Sequence, residues 1–216
     1  MPKDTFLNLP EEKRQMLVQL SMKEFAEKPY EQASVTSIVH QAGIAKGSVY
    51  QYFENKRDLY FYLIDLAVQS KLDWAREHAA TPTGDFFVDL REQMIMGAVW
   101  NVEHVVETKL LSGVASSPFK QEGTERLQGQ ADVFMTQLVE HAQASGKIRS
   151  DIPAPQVAAY MLAVLNGLSN YVASVIGADD SELFADQHRA KLQRVELRSL
   201  ITDLVKMLQH GLSSTT

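Results

Sequence analysis

Residues 42–59 read AGIAKGSVYQYFENKRDL, and this run decides the fold. Ala42-Gly43-Ile44 is a turn built on glycine, the residue that takes a positive φ without a Cβ clash. From about Ala45 to Tyr52 the chain forms a helix too short to be stable alone, rich in hydroxyls and aromatics, and Lys56 stands at the start of the next. Before the turn, Ser34 caps a short helix through His40 or Gln41 that points Val35, Ile38 and Val39 inward. Two short helices joined at a glycine turn make a helix-turn-helix, the arrangement that lays its second helix in the major groove of duplex DNA.

That geometry gives each residue a task. Lys46, Gly47 and Ser48 open the second helix, where side chains reach base edges. Lys46 suits guanine O6 and N7, Gly47 lets the backbone approach the groove floor, and Ser48 bonds a base or a phosphate. Tyr50 and Tyr52 each reach a phosphate through the phenol, and Lys56 clamps the backbone from the first turn of the next helix. Ser34 and Thr36 face DNA from the supporting helix. Phe53 and Leu59 fall on the inward face with Ile38 and Ile44 and belong to the core.

Working outward, the chain reads as helices throughout, without alternating strand patterns or internal repeats. Upstream, a first helix opens with Asn8 as N-cap, Pro10 in its first turn and Glu11 placed for a capping box. Its apolar positions Leu17, Leu20 and Phe25 recur at helical spacing, and it ends near Pro29. Downstream, Asn55 caps a long helix that continues toward His78.

Composition bounds the partners. The 216 residues are 45% hydrophobic, ample for a buried core. With no cysteine, disulfides, thiolate metal sites and thiol nucleophiles are excluded, and a reducing cytoplasm fits. No stretch approaches the ~18–20 apolar residues of a membrane span, and the N-terminus lacks an apolar signal core, so a cytoplasmic location is expected. The net charge of −6 lies wholly in residues 61–216, while residues 1–60 are balanced. A neutral head binds DNA if Lys46 and Lys56 face the phosphates while Glu24, Glu27 and Glu31 face away. The six histidines show no metal-binding spacing, and neither a nucleophile elbow, a phosphate loop nor a dinucleotide fingerprint is present. No metal, cofactor or enzymatic activity is therefore expected.

Phe25, Tyr30, Ile38, Ala42-Gly43-Ile44, Lys46-Gly47-Ser48, Tyr50, Phe53, Lys56 and Leu59 stand in one ungapped register over roughly residues 20–62. In this register the segment resembles the N-terminal domain of the TetR (tetracycline-repressor-like) family of bacterial transcription regulators. The resemblance implies an all-α homodimer. Residues 1–54 are then a three-helix helix-turn-helix DNA-binding domain and residues 55–216 a larger helical effector-binding and dimerisation domain. Pro29, Val39 and Ala45 depart from the family pattern; Ala45 stands where Ser or Thr often caps the recognition helix, a difference of about 0.5–2 kcal/mol. Thr36 stands where a longer polar side chain is frequent.

In the body, Met94 to Trp100 is almost continuously apolar and reads as a helix buried on most sides. The family resemblance places an effector pocket among these middle helices, with Met94, Trp100, His104, Phe119, Phe134, Met161 and Asn166 as candidate contacts to a largely apolar small molecule. Ordinary core packing accounts for the same Met and aromatic stripe. A helix over 155–176 is apolar on more than one face, and one over 189–210 sets Leu197, Leu200, Ile201, Leu204, Val205 and Leu208 in a seam. Paired across two subunits they form a four-helix dimer interface that sets two heads on successive half-sites of a near-palindrome; alternatively they close the monomer's own core. The reading is a sequence-specific transcriptional regulator, a repressor released from its operator by the effector. Its rival is a helical ligand carrier or protein-interaction module without specific DNA binding.

Overall fold

The computed structural model describes residues 2–78, 81–176 and 196–212. Among these the fold is all-α, with no strand. The helices are α1 Asp4–Leu7, α2 Glu11–Glu27, α3 Val35–Gln41, α4 Lys46–Tyr52, α5 Lys56–Glu77, α6 Phe86–Glu103, α7 Val105–Ser112, α8 Lys120–Ala144, α9 Ala154–Ile176 and α10 Leu197–Leu212, with a 3₁₀ turn at Gly113–Ser116 before α8. No helix among the described residues is long and apolar enough to cross a membrane.

The chain divides into two compact units. One comprises Met1–Leu72 and Glu103–Gly123, the other Asp73–Val102 and Thr124–Thr216. All 54 residues expected of a DNA-binding domain fall in the first, which also takes in most of α5 and the α7 segment.

In the first unit, Phe6, Leu17, Phe25, Ile38, Val49, Phe53, Leu59, Leu63 and Ile64 are buried together with Leu110 and Val114. Ser34 caps α3 as its sequence position requires, its hydroxyl accepting from the Ser37 amide at 3.3 Å. Gly43 takes φ +64° in the turn between α3 and α4. Asn55 Oδ1 accepts from the Asp58 amide at 2.9 Å in the first turn of α5. The break at Ser116–Phe119 is held by Ser117, whose hydroxyl donates to the Val114 carbonyl and accepts from the Phe119 amide. Gly123 lets the first turn of α8 approach this break closely, since a Cβ there would lie 2.4 Å from Val114 Cγ1.

The start differs from expectation. Pro10, not Asn8, precedes the first residue of α2 and no side chain caps it, because Asn8 instead closes the additional short helix α1. Four residues carry no readable periodicity, so α1 is invisible in the sequence.

The second unit has its own core, in which Phe86, Phe87, Leu90 and Ile95 of α6, Met135 and Val139 of α8, Val157 and Met161 of α9, and Ile201, Val205 and Leu208 of α10 pack together. Along residues 94–100 of α6, Ile95 and Trp100 are buried, Met94 and Ala98 pack against the core, and Val99 is exposed. Trp74, at the end of α5, stacks on His78 with ring centroids 4.2 Å apart. The stretch of the expected 189–210 helix before residue 196 lies outside the described residues.

Candidate nucleic-acid interface

The inward face of α4 carries Val49, Tyr52 and Phe53 at helical spacing, all buried, which orients the opposite face outward. Gly47 and Tyr50 lie on that outer face, and Tyr50 is 46% exposed. Nothing lies within 4 Å of where a Cβ on Gly47 would sit. Ser48 is half-buried, and Thr36 is exposed on α3. Lys46 opens α4, at the position from which a recognition helix reads bases; its side chain lies outside the description. Ala45 has the extended conformation of an N-cap but no side-chain bond to supply the cap.

Two expectations for this face are corrected. Tyr52 points inward, its ring 5.9 Å from that of Phe6, so its phenol does not stand beside Tyr50 on the outer surface. Lys56 folds back instead of reaching out. Its ammonium donates to the carbonyls of Tyr30 and Glu31 and sits 4.4 Å from the centroid of the Tyr30 ring. Burial pulls the Lys56 pKa below the ordinary lysine value, against the attraction of Glu31 and Glu24. Glu24, expected to face away from the phosphates, is buried. Its carboxylate accepts from the Ser34 amide at 2.9 Å, the Lys28 ammonium at 2.7 Å and the Ser37 hydroxyl at 3.2 Å. Burial pushes its pKa up, but these bonds together hold it below the ordinary value. Ser34 is thus tied twice, by its amide to Glu24 and by its hydroxyl to Ser37, and its first task is to fix the start of α3.

A second cluster lies in the same unit. Tyr30 meets Phe25, Tyr60 and Phe119 with centroids 6.0, 5.1 and 4.9 Å away. The Arg57 guanidinium lies over Phe61 and Phe119 at 5.1 and 5.3 Å and pairs with Glu122. Burial raises the Tyr60 phenol to about 12, and its hydroxyl is hydrogen-bonded to Ser117. The turn ahead of α3, the first turns of α5 and the segment leading into α8 therefore share one aromatic core.

Residues 17–63, which hold this whole helix-turn-helix, match the model of the bacterial regulatory proteins of the tetR family. The crystal structure of a TetR family transcriptional regulator from Chloroflexus aurantiacus J-10-FL is 31% identical, covers 99% of each chain and superposes with a TM-score of 0.72. The chain belongs to the TetR family. It is a transcriptional regulator with an N-terminal DNA-binding domain. The same fold occurs in a TetR-family regulator from Shewanella sp. PV-4, 17% identical over 93% of this chain and 98% of that one, with a TM-score of 0.65. It occurs too in the fatty acid degradation regulator FadR from Bacillus halodurans, 18% identical over 93% and 96%, with a TM-score of 0.64. Comparison with curated proteins gives no match.

For this TetR-family chain the remaining sequence-derived sites separate. Of the effector candidates, Met94 packs against the second unit's core, Met161 lies within it, and Trp100 is also fully buried. Phe134 is 53% exposed on α8, and Phe119 belongs to the aromatic cluster of the first unit. His104 is half-buried at the start of α7, and the side chain of Asn166 lies outside the description.

The seam on α10 also divides. Ile201, Val205 and Leu208 are buried in their own unit, while Leu197, Leu200 and Leu204 are half-buried and Met207 is 66% exposed. Leu200, Leu204 and Met207 recur at helical spacing on the side away from the core. On α9, Tyr160, Tyr171 and Val175 are exposed, while Val164 and Leu168 are half-buried and pack against the unit's core. Sequence periodicity could not find these exposed positions, because α9 is apolar on both sides and only the packed structure tells them apart.

Proposed function

We propose that this TetR-family regulator is a cytoplasmic repressor. It binds a near-palindromic operator as a homodimer, is released by a small, largely apolar effector, and works by binding alone, without a cofactor or catalysis. The observation that carries the DNA reading is the outward face of α4, with Gly47 and Tyr50 presented by a helix whose other side is locked into the head. Lys46, Gly47, Ser48 and Tyr50 are the principal contacts and Thr36 supports them from α3. Lys56 contributes by shaping the head and not as a phosphate clamp.

The exposed apolar side chains Tyr160, Tyr171 and Val175 on α9 and Met207 on α10 support a dimer, since exposed apolar surface marks an interaction site. Release runs through chain continuity: α6 leads into α7, and α8 leads out of the segment bearing Phe119 and Glu122. An effector that displaces these helices moves Phe119 against Tyr30, and with it the carbonyl that holds Lys56. A coupling of about 1–3 kcal/mol changes operator affinity about 5- to 150-fold.

The test is fluorescence anisotropy on duplex from upstream of the chain's own gene, at several salt concentrations and against scrambled competitor. Binding that survives competitor, falls with salt and weakens in Lys46→Ala supports the reading. Affinity indifferent to sequence and salt, also for duplexes drawn from a random library, sinks it in favour of a helical carrier.

A further inference from the structure

An α-helix leaves its last four carbonyls without intrahelical partners, and a helix of seven residues has little cooperativity to spare. In α4 all four have partners. Val49 accepts from the Phe53 amide at 2.8 Å, which is local. The other three are reached from residues far away in sequence: Tyr50 accepts from the Lys3 ammonium at 2.9 Å, Gln51 from the Thr5 hydroxyl, and Tyr52 from the Lys3 amide at 2.8 Å.

The donors are themselves anchored. Phe6 is enclosed, its ring 4.8 Å from Phe53 and 5.5 Å from Tyr62. Arg14 of α2 donates to the Leu7 carbonyl at 2.9 Å, and the amides of Phe6 and Leu7 close on the Lys3 carbonyl. The lysine also places a positive charge at the negative end of the α4 dipole.

We propose that Lys3 and Thr5 are positioning residues for DNA recognition, forming a C-terminal cap supplied in trans to the recognition helix. They touch no base. They hold the last turn of α4 wound, and so fix the azimuth at which Tyr50, Ser48 and Gly47 are presented. The role in recognition rests on the DNA reading above, whereas the cap itself rests on geometry alone.

The experiment compares Lys3→Met/Thr5→Val, which keeps the aliphatic bulk and leaves Phe6 in place, with Lys3→Arg/Thr5→Ser, which restores both donors. In the full chain without DNA, amide exchange over residues 49–53 should accelerate about tenfold in the first variant, with α2 and α9 unchanged. The donor-restoring variant should return it to the wild-type rate. On the duplex that wild type selects from a random-sequence library, the first variant should bind about tenfold more weakly, with an unchanged dependence on salt, and the second should recover.

Wild-type exchange in Lys3→Met/Thr5→Val overturns the cap. A salt slope reduced by about one overturns positioning, because it makes Lys3 a phosphate contact. Loss that the donor-restoring variant fails to recover also overturns it, assigning α1 to core filling through Phe6. If wild type selects no duplex, the DNA reading falls and the role in recognition with it, while the exchange arm still decides the cap.

Discussion

Replacing Glu24 should loosen the docking of α3 by an amount the structure allows to be worked out. The carboxylate has three donors, and its side chain is 4% exposed. Lys28 is 42% exposed, so its ammonium rehydrates when the partner is lost and contributes little. The larger effect is at Ser34, whose amide loses its acceptor beneath α2; such an orphaned donor costs about 1–3 kcal/mol. With the Ser37 hydroxyl also released, Glu24→Ala should destabilise by about 2–4 kcal/mol and Glu24→Gln by less, since an amide oxygen still accepts from Ser34. The folded-state pKa lies below the ordinary 4.5, so the carboxylate's contribution is fully present above that value and disappears as pH falls through the lowered one. Urea unfolding followed by circular dichroism, at neutral pH and in steps below 4.5, measures both variants against wild type. A gap that is absent at neutral pH, or one between wild type and Glu24→Gln that persists undiminished in acid, refutes the reasoning.

Other substitutions separate stability from function. Gly47→Ala meets open space and should stabilise α4 by about 0.5–1 kcal/mol while weakening operator binding, because the added methyl stands on the face offered to the groove; anisotropy and thermal melting together read the split. Ala45→Ser supplies the missing cap and should stabilise the chain by about 0.5–2 kcal/mol, seen as a melting temperature raised by roughly 2–4 °C for each kcal/mol. Met207→Glu charges the exposed row of α10 and should shift the species in sedimentation from dimer to monomer, with helicity unchanged.

What the sequence made legible was local. The Ser34 cap, the Gly43 turn, the Asn55 cap and the lengths of α3, α4 and α5 each follow from a few neighbouring residues, and each stands where those residues put it. What escaped depends on contacts between distant segments. The inward turn of Tyr52 needs Phe6, some 46 residues away, and α1 is too short to announce itself. The burial of Glu24 needs the start of α3 to arrive above it, and Lys56 turns inward because two carbonyls and the Tyr30 ring await it. On α10 the apolar count was legible but the division between inner and outer rows was not, since both satisfy one period and only α6, α8 and α9 decide which is covered.

The stacking of Trp74 on His78 has a practical consequence. The chain holds two tryptophans, Trp74 and Trp100, and both belong to the second unit, whereas Tyr30, Tyr50, Tyr52, Tyr60 and Tyr62 lie in the first. Indole emission therefore reports on the body alone, from one ring sealed in the interior and one stacked on an imidazole. A small molecule entering the body can be titrated by that light without a label, and a fluorophore carried on a duplex reads the head at the same time through a separate optical channel.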